Sequence, residues 1–359
     1  MRARVLRLLI ACVLTVAAGI PLRAFQAGPA ALDQRLGLFA RYLDGLRVQA
    51  GIPGLSAAVV VGRRIVWEQG FGYEDAEARM AATPGTPYPV ASLTKTFASM
   101  LLLQCVEAGR LDLDAPMRQY TSAVPDASAT VRQVLSMTSD SPAGSVYRYD
   151  GDRYAALTPV VEACTGRPFR VALASQILDR LGMSDSVPGH DLADPPPALA
   201  SLFASTTLDR YRQVLTRLAK PYRSLGRRYE PADYPPRGIN AAAGLVSTVR
   251  DLARYDAALD DHVLLGDQAQ QFAWTPFLLR DGRRGPYGLG WFTQSIGGES
   301  IVWHYGLWPS FSSLIVKRPD RGATLILLAN ADGLNARFPM ADGDVRVSPF
   351  ARAFLSLLD

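Results

Sequence analysis

The chain has 359 residues, of which 48% are hydrophobic and 20% are charged. This composition is typical of a globular protein with a sizeable core and excludes a low-complexity or largely disordered chain. The net charge of +5 includes four arginines within residues 1–27, a segment without acidic residues, so the rest of the chain carries only +1. A nearly neutral charge gives no support to nucleic acid as a partner.

Residues 1–27 have the pattern of a secretory signal peptide. Three arginines precede a short apolar run over residues 8–18, and helix-breaking Gly19 and Pro21 follow it. A basic segment followed by a short apolar run is typical of export, and the run is shorter than the roughly 20 residues of a membrane-spanning helix. We therefore predict a mature domain over residues 28–359 that is secreted or periplasmic. An uncleaved N-terminal membrane anchor is the alternative.

The mature chain begins with a predicted helix over residues 32–48, followed by a β-hairpin. Its two apolar runs, residues 55–61 and 65–72, flank a glycine-containing turn at residues 62–64. A second helix is predicted over residues 93–107, where apolar side chains occupy most faces and a glycine follows.

The middle of the chain, about residues 110–260, has mainly helical patterns interrupted by proline and glycine. Strand patterns return late, at residues 290–292, 301–303, 312–316 and 323–328, before a final predicted helix over residues 348–358. Strands at both ends around a helical middle predict an α+β fold. Its antiparallel sheet is built from both chain ends and flanked by helices, with an inserted, mostly helical subdomain. A cleft is expected where the two parts meet.

Cys105 and Cys164 are the cysteines that remain beyond residue 27. Both lie in apolar helical patterns, so we expect small buried side chains that are not paired; export leaves a disulfide open as the alternative. The three histidines, His190, His262 and His304, have no cysteine or histidine neighbour at ligand spacing. We therefore expect no metal site.

Ser92 and Lys95 are the strongest candidates for chemistry. Lys95 is one of three lysines in a chain with 35 arginines, and it lies in a helix pattern so apolar that a lone ammonium group would be costly there. Lysine, unlike arginine, can lose its proton on burial. Ser92 shares the helix face of Lys95 and lies at the helix start, where its N–H has no helical partner. A hydroxyl, a neutral amine and a free N–H suit acyl transfer. The alternatives are a simple N-cap for Ser92 and a surface residue for Lys95.

Further motifs follow in a defined order along residues 32–359. They are Pro53-Gly54 before the hairpin, Val90-Ala91-Ser92-Leu93-Thr94-Lys95-Thr96, Glu107-Ala108-Gly109-Arg110-Leu111, Leu181-Gly182-Met183, Ala243-Gly244-Leu245-Val246-Ser247-Thr248 and Tyr287-Gly288-Leu289-Gly290-Trp291. In this order they resemble the β-lactamase-related serine hydrolases, which include class C β-lactamases, penicillin-binding DD-peptidases, D-aminopeptidases and carboxylesterases. The resemblance implies a β-lactamase/transpeptidase-like fold, an acyl-enzyme on Ser92 activated by Lys95, and no metal or organic cofactor.

The resemblance also implies a tyrosine that shares proton transfer with the lysine, followed two residues later by an asparagine. Tyr149-Asp150-Gly151 is the best match, but Gly151 stands where the family has asparagine. That asparagine orients the lysine and donates to an amide of the substrate, so its loss predicts poor turnover of β-lactams. Asp150 and Asp152 are the candidates for electrostatic compensation. The alternative for Tyr149 is an ordinary loop tyrosine.

His304-Tyr305-Gly306 resembles the third motif of the family, on the strand that lines the site. The resemblance implies that His304 replaces a cationic lysine, and its charge would switch near neutral pH. Gly306 would permit close approach of the substrate to the strand, and the N–H of Leu307 would complete the oxyanion hole. The alternative is a strand histidine packed between its two aromatic neighbours.

These patterns together predict an exported serine hydrolase that acts through a Ser-x-x-Lys acyl-enzyme on an ester, a D-amino-acid peptide or an amide. Its expected partner is a small-molecule or peptide substrate, with no nucleic acid and with membrane contact only through an uncleaved N-terminal segment. An efficient β-lactamase or DD-carboxypeptidase is the alternative within this class. A catalytically silent relative that binds cell-wall peptide or a protein partner is the alternative of another class, favoured by Gly151.

Overall fold

The structure, a computed structural model, describes residues 29–357. The predicted signal peptide over residues 1–27 lies outside the described residues, and so does the last residue of the predicted C-terminal helix. Within residues 29–357, none of the helices combines the length and the apolar character needed to cross a membrane.

The part of the chain that the structure describes contains ten α-helices and twelve strands. The helices are α1 (Pro29–Gln49), α2 (Thr94–Glu107), α3 (Val131–Leu135), α4 (Thr158–Thr165), α5 (Phe169–Leu173), α6 (Pro197–Ala200), α7 (Ser205–Leu215), α8 (Val249–Asp260), α9 (Asp267–Ala273) and α10 (Pro349–Leu357). The strands are β1 (Gly54–Val61), β2 (Arg64–Asp75), β3 (Met80–Ala81), β4 (Tyr88–Pro89), β5 (Val187–Pro188), β6 (Tyr222–Leu225), β7 (Arg228–Pro231), β8 (Leu245–Ser247), β9 (Phe292–Ile296), β10 (Glu299–Trp308), β11 (Phe311–Arg318) and β12 (Ala323–Ala329).

Seven strands form one antiparallel sheet in the order β3-β2-β1-β12-β11-β10-β9. The two ends of the chain meet at its centre, where β1 pairs with β12 and Leu55 lies opposite Ala329. Helices α2–α9 and strands β4–β8 lie between these two halves in the sequence. The predicted α+β fold, with an antiparallel sheet built from both chain ends and a helical insert, is confirmed.

The hairpin of β1 and β2 forms where the sequence predicts it. Gly62 and Arg63 in its turn have φ angles of 56° and 70°, a combination that matches the twist of a two-residue hairpin. Glycine adopts positive φ freely, which explains why the turn contains one. Its two strands differ in burial, because β1 is buried almost throughout whereas the first half of β2 is exposed.

Helices cover both faces of the sheet. Trp67, paired with Val59, contacts Phe39 of α1, whereas Thr324, paired with Val60, donates a hydrogen bond to Asp256 of α8. Consecutive residues of a strand point to opposite faces, so α1 and α8 lie on opposite sides. This double cover explains why β1 has no polar face.

A disulfide joins α2 to α4. Cys105 and Cys164 are bonded, with their Cα atoms 6.0 Å apart. The expectation of two unpaired cysteines is therefore wrong, and the alternative that export left open is the one observed. Helical periodicity shows that each cysteine is buried but not which helices pack side by side. Disulfide formation depends on the distance between the two cysteines, which follows from that packing.

Candidate active site

Ser92 lies in a single 3₁₀ turn, Ala91–Leu93, that leads directly into α2. Its side chain is partly exposed between two buried neighbours, and Ala91 has a φ of 49°, a conformation that residues with a side chain rarely adopt. The first hydrogen bond of the turn runs from the Leu93 N–H to the carbonyl oxygen of Val90. The N–H of Ser92 precedes that bond, so it has no partner within the helix.

Lys95 is in direct contact with Ser92. The Nζ atom lies 2.9 Å from Ser92 Oγ and 2.9 Å from the carbonyl oxygen of Ala242, and the residue is only 1% exposed. Burial lowers the pKa of Lys95 to about 7, although the charges of Asp152 and Asp150 oppose this decrease. A large fraction of Lys95 is therefore a neutral amine near neutral pH, able to accept the hydroxyl proton of Ser92.

Tyr149 completes this cluster from a loop of the helical insert. Its ring stacks on Phe292 and Tyr305 and lies 5.6 Å from Lys95 Nζ. The buried hydroxyl has no hydrogen-bond partner of ordinary geometry among the described residues. Burial, assisted by the nearby Tyr305, raises the pKa of Tyr149 well above its usual value, although the proximity of Ser92 opposes this increase. The phenol is therefore protonated.

Gly151 lies beside the lysine, as the motif implies. A Cβ atom built on Gly151 would be 3.7 Å from Lys95 Nζ, an ordinary contact distance. The two neighbouring aspartates differ, because Asp150 is 3.0 Å from Arg153 Nη2 and accepts the N–H of the same residue, whereas Asp152 is exposed and lines the cleft. Asp152 is thus the carboxylate that faces the site.

Ion pairs hold the Tyr149 loop in place. Arg148 Nη2 donates to Asp140 Oδ1 at 2.8 Å, and Arg153 forms an ion pair with the same carboxylate. The residues around Tyr149 are thereby tied to the segment that follows α3. Sequence reasoning missed these ion pairs, although two arginines and two aspartates within residues 148–153 were a visible signal.

His304 lies beneath the cleft wall. Its Nδ1 lies 2.7 Å from the carbonyl oxygen of Tyr305 and its Nε2 lies 2.9 Å from the hydroxyl of Tyr287, contacts that suit a neutral ring protonated on Nδ1. Burial, assisted by the charge of Lys95, lowers the pKa of His304 to about 3. The expectation of a charge that switches near neutral pH therefore does not fit this buried position.

Gly306 brings β10 against the segment that carries Ser92. A Cβ atom here would collide with the carbonyl oxygen of Val90 and with Ser313 Oγ. Ser313 Oγ in turn donates to that carbonyl oxygen at 2.7 Å. The glycine thus allows close approach of the Ser92 segment, and the next residue, Leu307, is 38% exposed and lines the cleft.

The cleft encloses about 360 Å³ at the junction of the helical insert and the sheet. It is lined by Ser92, Lys95, Tyr149, Gly151, Asp152, Ala155, Asn240, Ala242, Ala243, Tyr305, Leu307 and Trp308. His304 and Asp150 are not among these residues. Sequence reasoning missed Asn240, although a polar residue just before a matched motif was a usable signal. Within residues 29–357, the side chains of His, Cys, Asp and Glu form no group of three or more that could hold a metal ion.

Comparisons with known proteins agree with this geometry. Residues 39–347 match the family model described as Beta-lactamase. Protein flp of Staphylococcus aureus (strain MW2) is 22% identical over 312 residues, which cover 78% of this chain and 60% of that protein. The octameric penicillin-binding protein homologue from Pyrococcus abyssi superposes with a TM-score of 0.71 at 20% identity, over 89% of this chain and 77% of that chain. SurE with D-Leu gives a TM-score of 0.61 at 26% identity, over 84% and 72%.

The chain spans less than two thirds of the length of the curated relatives first matched. The family match nevertheless covers the sheet, the helical insert and the cleft. The resemblance drawn from the motifs is confirmed, and the chain belongs to the β-lactamase family of serine hydrolases.

Proposed function

We propose that this protein is an exported acyl-serine hydrolase that cleaves small esters or D-amino-acid amides. The observation that carries the proposal is the 2.9 Å contact between Lys95 Nζ and Ser92 Oγ inside a buried site. A lysine with a pKa of about 7 can remove the serine proton at neutral pH. Nucleophile and base are already within hydrogen-bonding distance.

In the acylation step, Ser92 Oγ attacks the carbonyl carbon of the substrate while Lys95 accepts the hydroxyl proton. The backbone N–H groups of Ser92 and Leu307 donate to the oxygen on which negative charge develops. The bond to the leaving group then breaks, and the leaving group takes a proton passed on through the phenol of Tyr149. The product is an ester between the acyl group and Ser92.

In the deacylation step, a water molecule attacks the acyl-enzyme. Lys95 and Tyr149 remove one proton from that water, and Ser92 Oγ recovers a proton as the ester bond breaks. The acyl group leaves as a free acid and the enzyme returns to its starting state. Such a two-step reaction gives ping-pong kinetics.

Two features of the cleft favour esters and D-amino-acid derivatives over β-lactams. Gly151 supplies no carboxamide beside Lys95, and the neutral, buried His304 gives the third motif no positive charge for a substrate carboxylate. Among the cleft-lining residues in the described chain, Lys95 is the one basic side chain. The structure of the relative SurE with D-Leu supports a D-amino-acid group in the substrate.

A catalytically silent binding relative is the second candidate, and the absence of asparagine at Gly151 favours it. The two candidates are separated by labelling the protein with a fluorophosphonate and measuring its mass. Wild type should gain one label and Ser92→Ala none. Hydrolysis is then measured with p-nitrophenyl esters, a D-Ala-D-Ala peptide and nitrocefin, and we expect the esters to be turned over best. A protein that neither takes the label nor hydrolyses any of these substrates would refute the hydrolase.

A further inference from the structure

Asn240 lies on the cleft wall and takes no part in the mechanism above. Its Oδ1 accepts hydrogen bonds from the N–H groups of Ala242 and Ala243, at 2.8 and 3.2 Å. Only the oxygen of a carboxamide can accept these bonds. They therefore determine the orientation of the side chain, with Oδ1 toward its own turn and the Nδ2 amide group directed away from it.

The turn held by Asn240 also contacts the catalytic lysine. The carbonyl oxygen of Ala242 accepts a hydrogen bond from Lys95 Nζ at 2.9 Å. Gly151 approaches the same Nζ atom from its own loop, where a Cβ would be 3.7 Å away. Lys95 thus lies between two segments. The Gly151 loop lacks a carboxamide, whereas the turn held by Asn240 carries one.

The Nδ2 group of Asn240 is available to a ligand. Asn240 is exposed and lines the cleft, and no acceptor within residues 29–357 forms a hydrogen bond with its Nδ2. Among the cleft-lining residues in that range, it is the one side chain with a carboxamide. An amide donor of fixed orientation in the cleft that Ser92 also lines is suited to bind a carbonyl oxygen.

We propose that Asn240 Nδ2 binds the carbonyl oxygen of an amide in the acyl part of the substrate, in place of the carboxamide missing at Gly151. The inference rests on the proposed hydrolase function and narrows its substrates. It predicts that preferred substrates have an acyl group with an amide next to the scissile carbonyl, as in an N-acylated D-amino-acid ester or peptide. Simple aliphatic acyl groups offer no acceptor at this place.

The test compares two p-nitrophenyl esters that share a leaving group, one of N-acetyl-D-alanine and one of propionic acid. The ratio of their kcat/KM values reports recognition of the acetamido group. Asn240→Asp keeps an oxygen to accept the N–H groups of Ala242 and Ala243 but removes the donor. Loss of one hydrogen bond should lower the ratio about 10-fold. Gln213→Glu, which makes the same charge change on an exposed face of α7, should leave the ratio as in wild type.

Asn240→Ala provides a second, uncharged variant without the donor, and its ratio should also fall about 10-fold. It decides the question if Asn240→Asp is inactive or does not fold. A wild-type ratio in either variant that still hydrolyses the esters would overturn the role of Asn240 while leaving the hydrolase intact. A wild-type protein that hydrolyses neither ester would refute the proposed function itself, and the role of Asn240 with it.

Discussion

Two opposing influences set the pKa of Lys95. Burial disfavours the charged ammonium, whereas the carboxylate of Asp152 at the edge of the cleft favours it. The balance leaves the pKa at about 7. In the proposed mechanism the uncharged amine of Lys95 accepts the serine proton, so the activity should depend on this balance.

We expect kcat/KM for a neutral ester to increase with pH, along an ascending limb of the pH profile with its midpoint near pH 7, because Lys95 must lose its proton to act as a base. Asp152→Asn removes a negative charge that raises the pKa, so the limb should move to lower pH. The pH profile of kcat/KM measures both effects. Asp209→Asn, an exposed change on α7, serves as the control. A limb that stays in place or moves to higher pH in Asp152→Asn would contradict this account.

Lys95 and Tyr149 should behave as one catalytic unit. Lys95→Ala and Tyr149→Phe should each slow acylation by roughly 10²–10⁴, the usual loss for a general base. The double variant should lose much less than the product of the two, because both residues serve the same proton transfer. Single-turnover acylation rates provide the measurement. Tyr154→Phe is the matched control, since that buried hydroxyl is 3.5 Å from the backbone oxygen of Lys95. Fully additive losses would show that Lys95 and Tyr149 act in separate steps.

Gly151→Asn should increase turnover of amides and β-lactams relative to esters. A Cβ atom at this position would lie at an ordinary distance of 3.7 Å from Lys95 Nζ, so the backbone has room for the start of a side chain that restores the carboxamide. The ratio of kcat/KM for nitrocefin to that for p-nitrophenyl acetate measures the change, and Gly151→Ala controls for the lost backbone freedom. Wild-type nitrocefin hydrolysis at about 10⁶ M⁻¹s⁻¹ or above would contradict the premise, because efficient turnover would then not need the carboxamide.

At the scale of the elements, the Cys105–Cys164 disulfide joins α2, the helix that carries Lys95, to α4. The bonded residues are 59 positions apart, and a disulfide typically stabilises a protein by about 2–4 kcal/mol. Reduced wild type and the double variant Cys105→Ala/Cys164→Ala should each lose stability of that order. Urea unfolding of the oxidised and reduced proteins measures it. Equal midpoints for both forms, with thiol titration confirming reduction, would show that the bond adds nothing.

The bounds of a strand could be predicted more accurately where its sequence is more continuously apolar. β1 and β12 are apolar runs, and the sequence locates both nearly to their ends. β10 extends from Glu299 to Trp308, although only residues 301–303 have a strand pattern. Its second half contains His304 and Gly306, whose place is set by pairing with β11 and not by their own hydrophobicity.

At the scale of the whole molecule, export remains a prediction from residues 1–27. Intact mass of the protein recovered outside the cytoplasm should lack about the first two dozen residues, as signal-peptide lengths imply. The disulfide agrees with an oxidising compartment. Cleavage would also remove Cys12, so the mature oxidised protein should show no free thiol. A full-length N-terminus found in the cytosol alone would overturn the prediction.

The sequence by itself determined the fold class, the family, and the candidate nucleophile, base and tyrosine. These depend on local periodicity and on ordered motifs, which neighbouring residues in the chain encode. Gly151 was recognisable as a departure for the same reason.

Only the tertiary structure decided which residues face the cleft. It placed His304 beneath the wall and held it neutral, turned Asp150 toward arginines, paired the cysteines and brought Asn240 into the cleft that Lys95 also lines. Each outcome depends on burial or on contacts between segments far apart in the chain. Periodicity and spacing cannot report these contacts, because they describe neighbours in sequence, whereas pKa values and partners depend on neighbours in space.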